Sequence, residues 1–116
     1  MKSLNGSTYL IYLLISFTGC ADPSVEDRPN SKTNPQVYTV EISQMKFSPA
    51  EITVKKGDKV TFINHDLFTH NVTEEFSKQW SSSSLQPNQS WTLEVTASAN
   101  YYCSLHPVMK GKIKME

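Results

Sequence analysis

Four side chains in this sequence have the types and spacing to hold a metal ion. Residues 101 to 111 read Tyr-Tyr-Cys-Ser-Leu-His-Pro-Val-Met-Lys-Gly, which places a thiol (Cys103), an imidazole (His106) and a thioether (Met109) within seven positions. A second imidazole, His70, stands 33 positions before the cysteine in Thr-His-Asn-Val. Two imidazoles and a thiolate with a weak axial thioether suit one copper ion of the blue type, because Cu(I) favours soft sulfur and imidazole suits both oxidation states. A mixed set on a rigid scaffold serves Cu(I) and Cu(II) alike, so little has to move when an electron arrives. A short loop fixes three donors relative to one another. The fourth has to come from a distant segment, which a sheet can bring alongside.

Each residue also has a plainer use. A lone cysteine is most often a small buried hydrophobe, Met109 could simply pack in a core, and His70 and His106 could be polar surface residues. Cys-x-x-His alone is a weak signal; Cys-x-x-His-x-x-Met after a Tyr-rich strand, with His-Asn-Val upstream, is a strong one. His65, in the same loop as His70, serves as the control: it is read as solvated and without a metal role. A ligating histidine is usually oriented through its other ring nitrogen, and a thiolate by nearby amides. Pro107 lacks an N–H and cannot donate to the Cys103 sulfur.

The elements that position these donors read as short strands. Val37 to Ile42 is a strand, followed by Met45 and Phe47, and Pro49 breaks the run. Ile52 to Val54 is a second strand, and Lys56-Gly-Asp58 is a turn in which Gly57 takes positive φ. Val60 to Ile63 is β-branched and aromatic, as a buried strand requires. Asn64 to Thr69 is a loop, and a short strand follows His70 at Asn71 to Thr73. Glu74 to Gln89, with its serine run 81 to 84, reads as a polar surface loop with room for a helical turn near Phe76 to Trp80. Trp91 to Val95 alternates with period two, Asn100 to Cys103 is the next strand, and Lys112 to Met115 the last. Many short strands separated by turn signals predict an all-β Greek-key sandwich.

The copper loop resembles that of cupredoxins of the plastocyanin and amicyanin type, and the two-residue gap between His106 and Met109 resembles amicyanin. The resemblance runs from about Val37 to Met115 and includes Phe47-Ser-Pro-Ala-Glu-Ile-Thr-Val, Gly57-Asp-Lys-Val-Thr-Phe-Ile-Asn, His70-Asn-Val, Leu85-Gln-Pro-Asn-Gln-Ser-Trp and the copper loop. It implies a type 1 site on His70, Cys103, His106 and Met109, with Asn71 tying the two ligand loops together. It also implies a one-electron carrier whose redox partners dock transiently at the apolar patch around His106, formed by Leu67, Phe68, Leu105, Pro107 and Val108. Lys110, Lys112 and Lys114 are either a basic rim for an acidic partner or the wet face of the last strand.

The chain of 116 residues is long enough for one domain, expected as a monomer. Its 11 basic and 11 acidic residues balance, which argues against a nucleic-acid partner. Residues 1–19 carry Lys2, an apolar centre at Leu10 to Ile15 and small residues before Cys20, as a signal peptide does. Phe17-Thr-Gly-Cys resembles a lipobox, which makes Cys20 the lipidation site of a membrane-anchored periplasmic lipoprotein, although leucine is usual where Phe17 stands. Residues 20–35 form a flexible tether too polar to offset its ordering entropy, with a reach of about 50 Å when extended. Residues 36–116 form the copper-binding domain. Lipidated Cys20 would leave Cys103 an unpaired thiol outside the cytoplasm, prone to oxidation unless buried or ligated.

The expected function is electron transfer between redox partners outside the cytoplasm. It is not expected to be an enzyme, because four protein ligands leave no open position. Storage or delivery of copper uses the same ligands and stands as the alternative. An adhesive β-sandwich without metal is a third reading, and zinc in the site would be redox-silent.

Overall fold

A computed structural model describes residues 34–116. The signal segment 1–19, the lipidation site Cys20 and all of the tether except residues 34–35 lie outside the described residues. The fold is built from eight strands: β1 (Val37–Ser43), β2 (Lys46–Ser48), β3 (Glu51–Val54), β4 (Lys59–Asn64), β5 (Thr73–Glu74), β6 (Ser90–Glu94), β7 (Ala99–Cys103) and β8 (His106–Met115). No helix occurs among the described residues. The strands form two four-stranded sheets, ordered β2-β1-β4-β6 and β3-β8-β7-β5. The pairs β1/β4 and β3/β8 are parallel and the other pairs antiparallel, so the chain crosses between the sheets repeatedly, as the Greek-key expectation requires.

Period-two alternation builds the core, because successive strand side chains point to opposite faces. Val40 and Ile42 of β1, Val60 and Phe62 of β4, Tyr101 and Cys103 of β7, and Met109 and Ile113 of β8 all point inward. At its centre the Tyr101 ring meets Phe47 and Phe62 edge-on, with centroids 4.9 and 5.2 Å away. Such T-shaped pairs are favourable beyond their buried area. Tyr101 also lies over Gly111, its partner across β7/β8. A Cβ at that glycine would stand 2.2 Å from Tyr101 Cζ, so only glycine fits. The Tyr101 hydroxyl has no hydrogen-bond partner, and burial pushes its pKa far up.

Most strand boundaries fall within one residue of the sequence reading, and two differ by more. The last strand is not Lys112 to Met115 but the ten-residue β8, which begins at His106. The strand after His70 shifts to Thr73–Glu74. The 74–89 segment also departs from a plain surface loop. It runs back along residues 70–74, with isolated bridges His70↔Leu85 and Thr73↔Ser81, and Ser82 is buried, its Oγ accepting from Val72 N at 2.8 Å. No helical turn forms at Phe76 to Trp80. The Glu74 carboxylate takes the Phe76 and Ser77 amides at 3.0 and 2.7 Å, and Lys78 sits at φ 53°, which a helix cannot continue through. Lys110 and Lys114 pair with Glu75 and Glu51, so the alternating lysines are the solvated face of β8 with much of their charge balanced.

Gly111→Ala is expected to cost about 1–3 kcal/mol by overpacking against Tyr101, read as a lower urea midpoint. A second expectation concerns acid. The Ser77 hydroxyl, followed by the amides of Phe76, Ser77 and Gln79, outweighs desolvation and lowers the Glu74 carboxyl from 4.5 to about 2. A depressed carboxyl stabilises the fold fully above its unfolded value and loses that contribution as pH falls through its folded one. Stability should therefore decline from pH 4.5 towards about 2, and urea midpoints of Glu74→Gln should fall less steeply over that interval.

Candidate metal centre

His70, Cys103 and His106 come together at one end of the sandwich. Each offers one donor atom, and the three atoms lie within 4.8 Å of one another. Cys103 ends β7, where strand alternation turns its side chain into the core, and it is a free thiol with no solvent exposure. His106 begins β8 directly across from it, after the two-residue turn Ser104–Leu105. His70 is brought in by the bridge to Leu85, its amide donating to Leu85 O at 3.1 Å and its carbonyl accepting from Leu85 N at 2.7 Å. Its side chain has no solvent exposure, whereas that of His106 is partly open.

The β7/β8 register explains where Met109 goes. Tyr102 pairs with Lys110, but Cys103 pairs with His106, so residues 107–109 have no partner across the ladder. Extra residues of this kind bend a strand and re-aim side chains. Pro107 and Val108 are turned out to solvent, while Met109 is buried in the core.

The donor set fits a metal ion. The Cys103 sulfur is 3.7 Å from His70 Nδ1 and 3.8 Å from His106 Nδ1. Bonds of about 2.0–2.1 Å to imidazole and about 2.3 Å to thiolate, spread at 120° around one ion, separate sulfur and nitrogen by roughly 3.8 Å. The two rings are inclined by 61° with centroids 4.8 Å apart, so they converge without stacking flat. One thiol with an imidazole nitrogen 3.7 Å and another 3.8 Å from its sulfur make a donor set suited to copper.

Hydrogen bonds hold this arrangement. Asn71 Oδ1 accepts from the Ser104 amide at 2.8 Å, and its Nδ2 donates to Ser104 Oγ at 2.6 Å, which joins the His70 segment to the Cys103 turn. The Asn71 amide also donates to the Cys103 sulfur at 3.4 Å. Two residues that the sequence reading placed in a loop without a role at the site complete the support. Asn64, fully buried, donates from Nδ2 to the carbonyls of Phe68 and Leu85, both at 2.8 Å, and its Oδ1 accepts from Asp66 N. Asp66 Oδ2 lies 2.8 Å from His70 Nε2. Desolvation raises the Asp66 carboxyl, but the Met45 amide, the His70 ring and the Gln44 amide together outweigh it, and its pKa lies below the ordinary value. The available signal was an aspartate four positions before a histidine, a spacing too common to single out.

His65 lies outside the donor cluster; its side chain is 45% exposed, with Nε2 4.0 Å from Glu41. Leu67, Phe68, Leu105 and Val108, which flank the donor segments in the chain, are all exposed, Leu67 at 89% and Val108 at 87%.

Comparison with known proteins agrees with this geometry. Residues 35–116 match the family described as copper binding proteins, plastocyanin/azurin family. The chain is 31% identical over 99 residues to amicyanin-alpha of Methylorubrum extorquens, covering 80% of this chain and 79% of that protein. Among solved structures, a reduced amicyanin variant superposes with a TM-score of 0.65 at 31% identity, covering 69% of this chain and 82% of the other. A copper-containing nitrite reductase from Thermus scotoductus reaches the same TM-score at 24% identity, with 71% of this chain and 23% of that one covered, and shares the fold alone.

Asn71→Ala should loosen the join between the two segments. Losing the hydrogen bonds to the exposed Ser104 is expected to cost about 0.5–1.5 kcal/mol for each bond, measured by urea unfolding of the metal-free protein.

Proposed function

Since this chain belongs to the plastocyanin/azurin family of copper-binding proteins and is of the amicyanin type, we propose that it is a blue copper protein carrying single electrons between redox partners outside the cytoplasm. The observation that carries this reading is the cluster of Cys103, His70 and His106 donors within 4.8 Å, at an end bordered by exposed apolar side chains. Bound copper supplies the chemistry, a one-electron change between Cu(II) and Cu(I).

The residues divide the work. Cys103 presents its sulfur as the soft ligand, with the Asn71 amide donating to it and Pro107 unable to add a second donor. His70, closed off from solvent, holds its ring in place from inside. His106 is the ligand at the surface, and its partly exposed edge is where electrons enter and leave. Met109, turned inward by the unpaired residues 107–109, would add its thioether as a weak fourth ligand. Leu67, Phe68, Leu105, Pro107 and Val108 form the docking face, which needs little desolvation of charge and so suits short-lived complexes.

Carrier function rests on this ligand set and not on the fold, which the nitrite reductase shares. Four protein ligands leave no position for a substrate, so the chain is not an enzyme. Residues 1–19 act as the export signal, Cys20 as the lipidated anchor and residues 20–35 as the tether of a monomeric domain, residues 36–116. Burial of the Cys103 and His70 donors favours retention of the ion over its handover.

Added Cu(II) is expected to give the protein an intense visible band that reductant bleaches and oxidant restores. Cys103→Ser should fold and lack the band. A wild-type protein that binds copper and stays colourless would replace electron transfer with copper handling.

A further inference from the structure

We propose that Asp66 is a positioning residue for His70: it fixes the ring as the Nε2–H tautomer, aims Nδ1 at the Cys103 sulfur, and favours the oxidised state of the site. The inference rests on reading His70 as a copper ligand. An ionised carboxylate only accepts hydrogen bonds. With Asp66 Oδ2 at 2.8 Å, His70 Nε2 must carry the proton. A neutral imidazole then has its lone pair on Nδ1, the atom 3.7 Å from the Cys103 sulfur. Because His70 is closed to solvent, water does not compete for Nε2.

Asp66 is itself held from a third segment. Its Oδ1 accepts from Gln44 N at 2.7 Å and its Oδ2 from Met45 N at 3.0 Å. These residues are the two-residue turn between β1 and β2, with Ser43 opposite Lys46. Both lie in the left-handed region, at φ 52° and 61°, which hairpin turns of this length demand and which glycine or asparagine usually supplies. The carboxylate takes both turn amides and so offsets the strain of placing Gln44 and Met45 there. The turn, Asp66, His70 and the sulfur thus form one continuous file of contacts, and only a carboxylate completes it. Asparagine has one donor end, which would have to face either the Gln44 amide or the pair formed by the Met45 amide and His70 Nε2. A negative charge beside a ligand also stabilises the more positive metal state, so removing it shifts the equilibrium towards Cu(I).

Two readouts test this. In the metal-free protein, ¹⁵N-histidine NMR should show His70 with Nε2 protonated and Nδ1 bare, and Asp66→Asn should lose that single tautomer. In the copper-loaded protein, Asp66→Asn should raise the reduced-to-oxidised ratio at a fixed potential at least tenfold, about 59 mV for one electron, while Asp66→Glu stays within threefold of wild type. A wild-type His70 protonated on Nδ1 overturns the proposal, even if Asp66→Asn fails to fold. So does a folded Asp66→Asn with an unchanged ratio. The NMR readout needs no copper, so a failure of the carrier reading leaves the tautomer assignment standing or falling by itself.

Discussion

Two hydrogen bonds between Asn71 and Ser104 join the parts of the chain on which the donor end depends. His70 and Cys103 are 33 positions apart, and neither sheet pairs their strands directly at that point. The β5/β7 ladder pairs Thr73 with Tyr102 and the Leu85 bridge holds His70; the join extends that order to the residues beside the donors, against a backbone entropy of about 1–2 kcal/mol per residue fixed. With it, the Cys103 sulfur is held 3.7 and 3.8 Å from the two imidazole nitrogens. A donor geometry set by the polypeptide is the same for either oxidation state, which is what an electron carrier requires.

The donor end is arranged against the usual sense of a protein surface. Its interior is polar, with Asn64, His70, Asn71 and Thr73 buried, while Leu67, Phe68, Leu105 and Val108 face water. A buried polar group is costly unless paired, and here the pairing is close to complete. Asn64 uses its amide and its oxygen, Asn71 does the same, and the Asp66 carboxylate meets two backbone amides and the His70 ring. Fully satisfied networks of this kind specify one conformation. The apolar exterior at the same end is the sort of surface that marks an interaction site.

Much of this was legible in the residues. Val40 and Ile42, or Val60 and Phe62, announce strands because burial on one face forces alternation. Cys103, His106 and Met109 stand out because few uses explain a thiol, an imidazole and a thioether at three-residue spacing. What was not legible came from groups whose partners are distant. The serine run 81–84 looks like solvent-exposed loop, and only the chain lying alongside residues 70–74 buries Ser82. Phe76 to Trp80 has the composition of a helical turn, but the Glu74 carboxylate captures the amides that would start one. The extent of β8 was missed because Pro107 signals a break in a ladder, whereas here it falls within the unpaired residues where no amide is needed.

By itself the sequence determined the all-β class, the inward alternation and which side chains could serve as donors, since these follow from local side-chain chemistry and a period of two. Tertiary structure decided how the donors converge. The three unpaired residues that send Val108 outward and Met109 inward depend on the register between β7 and β8. The Asp66 contact to His70 depends on a turn more than twenty positions away, and the Asn71–Ser104 join on two loops meeting at the end of the β5/β7 pair. Register and cross-chain hydrogen bonds are properties of pairs of segments, and no local pattern encodes which pairs will meet.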